Sequence, residues 1–182
     1  MRTKFSPATG LMAVMVALCW LAGCASSEPQ PDLARVALAD KAASDLSLTR
    51  ADIIESGDCH YARVPPGVRE TSFYGCWYVA TAGTIHVLDW NAEHNRFFDA
   101  LKVDASSVKS VAVASAALAT GQLQLQGANT WLVLSIGTSS AREIHDRLVH
   151  AGVPEGTSPG WVGGSVRGPT TVTIPIYIPA HR

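Results

Sequence analysis

The feature that most restricts how this chain can fold is one helix with a marked start, face and stop. Ser140-x-x-Glu143 has the form of a capping box, in which each side chain satisfies a free amide of the first turn. Ala141, Ile144, Leu148 and Ala151 fall at i, i+3, i+7 and i+10 and make one apolar stripe. Gly152 stands where a left-handed C-cap is needed, Val153 can reach back to Leu148, and Pro154 blocks continuation. The pattern predicts a helix over 140–151. Its stripe must be covered, and the apolar segments before it are the one large partner on offer.

Those segments read as strands. Phe73–Thr81, Thr84–Trp90, Arg96–Val103 and Val108–Ala114 are short, apolar or aromatic, and separated by turn residues. Gln122-Leu123-Gln124-Leu125-Gln126 alternates strictly, which sends Leu123 and Leu125 to one face. Thr130–Ile136 is nearly continuously apolar, the signature of a strand buried on both faces. The expected fold class is α+β, mostly β: a small antiparallel barrel or sandwich of six to seven strands covered by one C-terminal amphipathic helix.

That layout resembles pleckstrin-homology-like (PH-like, GRAM-like) domains. The stretches that carry the resemblance are Phe98–Val103 with Val108–Val111, and Gln122–Leu125 with Thr130–Leu134 before the helix. It spans about residues 57–153 and implies a barrel with the helix plugging one open end. A generic β-sandwich with a covering helix fits the same pattern. The family's phosphoinositide pattern needs clustered Lys and Arg in an early strand loop, where this chain offers only Arg63 and Arg69.

The start of the chain carries an address. Arg2 and Lys4 precede an uncharged apolar run from Leu11 to Ala22. As a helix that run is about 18 Å long, too short for a bilayer core of ~30 Å. It has the form of a secretory signal peptide. Leu21-Ala22-Gly23-Cys24 resembles the lipobox of bacterial lipoproteins. The resemblance implies cleavage after residue 23 and acyl chains on Cys24 that hold the protein to a membrane. Ala25 and Ser26 follow, not the Asp that marks inner-membrane retention in that family, so the implied address is the outer membrane, periplasmic face. Residues 24–31 then form a lipidated cysteine and tether, and 32–56 a short helical segment rich in Ala, Leu and Lys.

Of four cysteines, Cys19 leaves with residues 1–23 and Cys24 takes lipid. Cys59 and Cys76 remain in an oxidising compartment, on either side of the turn signal Pro65-Pro66-Gly67. A hairpin there sets them roughly opposite each other, and a disulfide is expected. Without Arg2 and Lys4 the 14 basic residues become 12 against 15 acidic ones, and the charge moves from -1 to -3. That balance provides no basic excess for phosphate neutralisation, so no nucleic-acid partner is expected.

Residues 154–182 read as a Gly/Pro-rich linker and an extended apolar tail. Val172, Ile174, Ile176 and Ile178 alternate with Thr171, Thr173, Pro175 and Tyr177. The tail can dock as an edge strand on its own domain or add a strand to an envelope protein partner. Trp161, Ile174, Ile176 and Tyr177 are the proposed partner-binding residues, with self-packing as the alternative for Trp161.

Catalytic motifs are missing from the sequence. His145 and His150 are five apart and do not share a helix face. Gly163-Gly164-Ser165-Val166-Arg167-Gly168 is not G-x-S-x-G, and no phosphate-binding loop motif occurs. No metal, cofactor or catalytic residue is assigned. The expected role is a non-enzymatic, lipid-anchored binding or scaffold module. An envelope hydrolase or remodelling enzyme with an unrecognised site is the alternative.

Overall fold

The computed structural model describes residues 33–115 and 119–167. Turn chemistry and alternation place seven consecutive strands: β1 (Ile53–Val64), β2 (Glu70–Thr81), β3 (Thr84–Asn91), β4 (Arg96–Asp104), β5 (Ser110–Ser115), β6 (Thr120–Gln126) and β7 (Trp131–Gly137). Helix α1 (Leu33–Asp45) precedes them, and helix α2 (Thr138–His150) and a short β8 (Gly163–Arg167) follow. The strand order is β4-β3-β2-β1-β7-β6-β5, antiparallel throughout, and β8 pairs β2 in parallel. The expected class, mostly β with a C-terminal amphipathic helix, is the one observed, with eight strands instead of six or seven.

β1 explains how one sheet encloses a core. Its residues Ile53–Tyr61 pair with β2, and His60–Val64 pair with β7. The sheet therefore wraps around a single interior to which β1, β2, β3, β5, β6, β7 and α2 all contribute buried side chains. β4 and β5, at the two ends of the order, do not pair with each other among the described residues. The barrel is unclosed. The hairpin between β1 and β2 turns at Pro65-Pro66-Gly67-Val68, where the Val68 amide donates to the Pro65 carbonyl and Gly67 has φ +84°. Pro then Gly with positive φ is the chemistry of a type II turn. It sets Cys59 directly opposite Cys76, and the two are joined as a disulfide.

Alternation divides the sheet into an inner and an outer face. Leu123, Leu125, Leu132, Leu134 and Ile136 point inward, where Ala141, Ile144 and Leu148 of α2 meet them. Burying Ile144 and Leu148 stabilises by about 1.5–3 kcal/mol each. The outer face is also apolar, in two patches. Trp77, Val79, Leu88 and Phe97 lie under α1, which presents Leu38, Ala39 and Ala42. The Asp45 carboxylate accepts the Phe97 amide at 2.8 Å and Lys41 at 2.6 Å, fixing the end of α1 to β4. The second patch, Ala62, Val64, Phe73, Trp131 and Val133, is covered by Val162.

Three expectations are corrected. The helical segment expected over 32–56 is α1, ending at Asp45, and one 3-10 turn over Arg50–Asp52, while Ile53–Ser56 opens β1, because β-branched Ile53 and Ile54 suit a pleated surface. Helix α2 begins at Thr138, two residues early, so Ser140 lies inside it. The Ser140 hydroxyl donates to Glu55 Oε1 at 3.2 Å instead of capping its own helix.

The third correction concerns the Gly/Pro-rich linker. Between Glu155 and Arg167 it is a strap held against the sheet. Gln122 Nε2 donates to the Val162 carbonyl at 2.7 Å, and the Val162 amide donates back to Gln122 Oε1 at 3.0 Å. Gln124 Nε2 donates to the Gly160 carbonyl at 2.9 Å, and Ser158 Oγ donates to Gln124 Oε1 at 2.8 Å. Both glutamines are buried. The strap's glycines serve close approach. A Cβ on Gly164, at φ +150°, would stand 1.7 Å from the Thr71 carbonyl oxygen.

Candidate functional site

Strand alternation builds the site. On β1, Cys59, Tyr61 and Arg63 share one face; on β2, Cys76, Tyr74 and Ser72 share the facing one. The register pairs Cys59 with Cys76 and Tyr61 with Tyr74. A slip by one residue would turn the whole set to the opposite face. The buried disulfide therefore fixes the aromatic pair above it and, one step further, the rim where Arg63 and Ser72 stand. The Tyr61 and Tyr74 rings are tilted, with centroids 5.8 Å apart, and Tyr74 is 49% exposed.

Helix α2 occupies one end of the barrel. A Cβ on Gly121, near the start of β6, would stand 3.0 Å from the Thr138 Cα, so β6 and the helix meet almost backbone to backbone there. The opposite end carries two adjoining recesses. One is a cavity of about 180 Å³ with Leu101, Val103, Val108, Leu125 and Leu132 on its apolar side and Arg63, Ser107, Gln126 and Thr130 on its polar side. The other, of about 530 Å³, is lined by Tyr61, Arg63, Thr71, Ser72, Tyr74, Ala100, Leu101 and Arg167. Arg63 and Leu101 line both.

Two further strands complete the recess. β4 carries a bulge: Val87 pairs with Leu101 and Leu88 with Asp99, leaving Ala100 unopposed. A bulge re-aims side chains, and here the adjacent Ala100 and Leu101 line the same recess. β8 pairs from Glu70↔Gly163 to Tyr74↔Arg167, along β2 before β3 begins to pair at Trp77. This brings Arg167 beside Tyr74.

The recess is cationic and aromatic. Among the described residues, none that lines it is a carboxylate. Among the described residues, neither Arg63 nor Arg167 forms an ion pair. Burial raises the Tyr61 phenol above its ordinary pKa, Asp89 adds to the rise, Arg63 opposes it, and Tyr74 adds a smaller rise. Tyr61 is thus neutral at physiological pH, with a hydroxyl that can donate or accept a hydrogen bond.

Of the residues singled out from sequence, Cys59 and Cys76 are joined beneath this site. Trp161 is half-buried within the strap. Cys24, Ile174, Ile176 and Tyr177 lie outside the described residues. Tyr61, Tyr74 and Arg167 were missed as site residues. For the tyrosines the signal was present as Cys59-x-Tyr61-x-Arg63 and Ser72-x-Tyr74-x-Cys76 on either side of one turn.

Other polar clusters stand apart from the recess. His86 Nδ1 and Asp99 Oδ1 are 2.9 Å apart, and His145 Nδ1 and Asp146 Oδ1 likewise. Among the described residues no three metal-ligating side chains gather, and no helix is long and apolar enough to cross a membrane.

No family model and no curated protein matches the chain. Solved structures that match include the Slm1-PH domain in complex with inositol-4-phosphate, at 18% identity and TM-score 0.37, covering 53% of this chain and 93% of that one. Vav1 with an allosteric inhibitor matches at 11% identity and TM-score 0.42, covering 63% and 22%. Human RhoA with the DH/PH fragment of PDZRhoGEF matches at 11% identity and TM-score 0.38, covering 54% and 29%. These scores all lie below 0.5, and the architecture is defined by its own strand pairing.

Proposed function

We propose that this chain is a lipid-anchored cell-envelope protein whose domain is a non-catalytic binding module at the periplasmic face of the outer membrane. The observation that carries the binding role is the open barrel end, where a cavity with a leucine and valine wall adjoins a recess bearing a tyrosine pair and two arginines that form no ion pair among the described residues. Pockets with apolar walls and a few convergent polar groups are the usual form of ligand sites. The anchoring rests on Leu21-Ala22-Gly23-Cys24 behind a short apolar run. Several acyl chains on one cysteine give durable attachment, since each buried CH₂ contributes about 0.8 kcal/mol.

The anchor also restricts what the site can reach. Cys24 and Leu33, the first residue of α1, are nine residues apart. At most ~3.3–3.6 Å per residue, the domain begins within about 30 Å of the acylated cysteine. Its ligand is then a component of the membrane surface or of the adjoining periplasm.

Two measurements test this. Cys24→Ala should move the protein from the membrane to the soluble fraction of lysed cells; unchanged membrane fractionation refutes the anchor. A photoreactive amino acid in place of Tyr74 should crosslink to an envelope component in intact cells. The same substitution at exposed Arg142 is the control, and equal crosslinking at both positions refutes the open end as the binding surface.

A further inference from the structure

We infer that the open end of the barrel binds a single-chain anionic amphiphile, its apolar part in the inner cavity and its anionic group between Arg63 and Arg167. This rests on the reading of the domain as a binding module and names the ligand class. The first observation is size. The inner cavity, about 180 Å³, has leucine and valine in its walls. A volume of roughly 150 Å³ accepts a benzene-sized group, so this recess has room for a short length of alkyl chain against its leucine and valine wall, with Arg63, Gln126 and Thr130 at its polar side.

The second observation is charge. Arg63 stands where the two recesses join, and Arg167 lines the outer one. Neither has a carboxylate partner among the described residues. A guanidinium is always protonated and presents a planar fork suited to carboxylate or phosphate. The Tyr61 and Ser72 hydroxyls offer further donors. Burial, with Asp89 beyond the lining adding to it, raises the phenol pKa of Tyr61 above its ordinary value.

The third observation is the origin of Arg167. It comes from β8, which continues directly from the strap docked on Gln122 and Gln124. A recess with an apolar wall beside a cationic rim selects a ligand with both parts in sequence. A free anion lacks the first and an uncharged amphiphile the second.

The test is calorimetric titration of the full mature chain, with Cys24→Ser to remove the lipid, against decyl phosphate, inorganic phosphate and decyl glucoside below their micelle concentrations. Decyl phosphate should bind one to one, and the other two at least tenfold more weakly. Arg63→Gln should weaken decyl phosphate about tenfold with the circular dichroism spectrum unchanged. Leu101→Trp, which fills the inner cavity from the half-exposed edge strand, should weaken it by as much and spare Arg63. Equal binding of inorganic phosphate or of decyl glucoside overturns the inference, and so does full affinity in Leu101→Trp. If no probe binds while position 74 still crosslinks in cells, the ligand class falls and the binding-module reading stands. If both fail, both fall.

Discussion

Gln122→Leu tests how the strap is held. The change keeps the side chain's approximate volume and removes both the oxygen acceptor and the NH2 donor of its amide. Gln122 is 1% exposed and forms a two-way pair with Val162, accepting its amide at 3.0 Å and donating to its carbonyl at 2.7 Å. Gln124 Nε2 also reaches Gln122 Oε1, at 3.3 Å. Leucine leaves the Val162 amide and carbonyl buried without partners, at a cost of about 1–3 kcal/mol each. Better apolar transfer of leucine offsets part of this, so the net loss is about 2–4 kcal/mol. The strap can escape part of the penalty by lifting into water, but then Val162 uncovers Phe73 and Trp131. Either way stability falls. At roughly 2–4 °C per kcal/mol for a chain of this size, the thermal midpoint should drop by about 5–15 °C. Hydrogen exchange should rise first in 158–167. Gln126→Leu is the control, because Gln126 bonds Ser110 and not the strap. If Gln122→Leu melts like the control, with exchange over 158–167 unchanged, the buried amide pairs do not hold the strap.

Removing the Cys59–Cys76 bridge as Cys59→Ala with Cys76→Ala should lower stability by roughly 3 kcal/mol, given a separation of 17 residues; an unchanged urea midpoint would show that the turn alone fixes the register. Gly164→Ala puts a methyl group into the Thr71 carbonyl, so β8 should detach from β2, with fast exchange confined to 163–167 and weakened decyl phosphate binding. Tyr78 is buried, and desolvation, with Glu55 nearby, holds its phenol pKa well above the ordinary 10.0. A raised folded-state pKa favours the protonated form, so its stabilisation is complete below the unfolded-state value near 10.0 and is lost progressively as pH rises from there through the folded-state value. Denaturant midpoints should therefore fall above pH 10, and Tyr78→Phe should lessen the fall; equal slopes in both proteins would exclude Tyr78 as the cause.

What the sequence made legible followed from local chemistry. The hairpin needed only Pro65-Pro66-Gly67 and its flanking runs; the face of α2 needed only Ala141, Ile144 and Leu148 at helical spacing. Both patterns are periodic or covalent and hold without knowledge of the neighbours. The strap was hidden for a physical reason. A run of Gly and Pro has the same composition whether it moves freely or lies within contact distance of a backbone, since the lack of a Cβ permits both. What decides is the surface opposite, and that surface was in view as Gln122-Leu123-Gln124-Leu125-Gln126. Alternation sent the leucines inward correctly, but it also suggests that the glutamines face water. Two buried glutamines require partners, and an extended segment lacking its own hydrogen bonds supplies them. Neither half indicates the contact without the other. The same holds for the open barrel end: Arg63 read alone is a thin basic signal, and it becomes part of a site only when β8 brings Arg167 to Tyr74. The second arginine depends on the strap, and the strap depends on the glutamines, so damage at Gln122 should reach the recess as well as the fold.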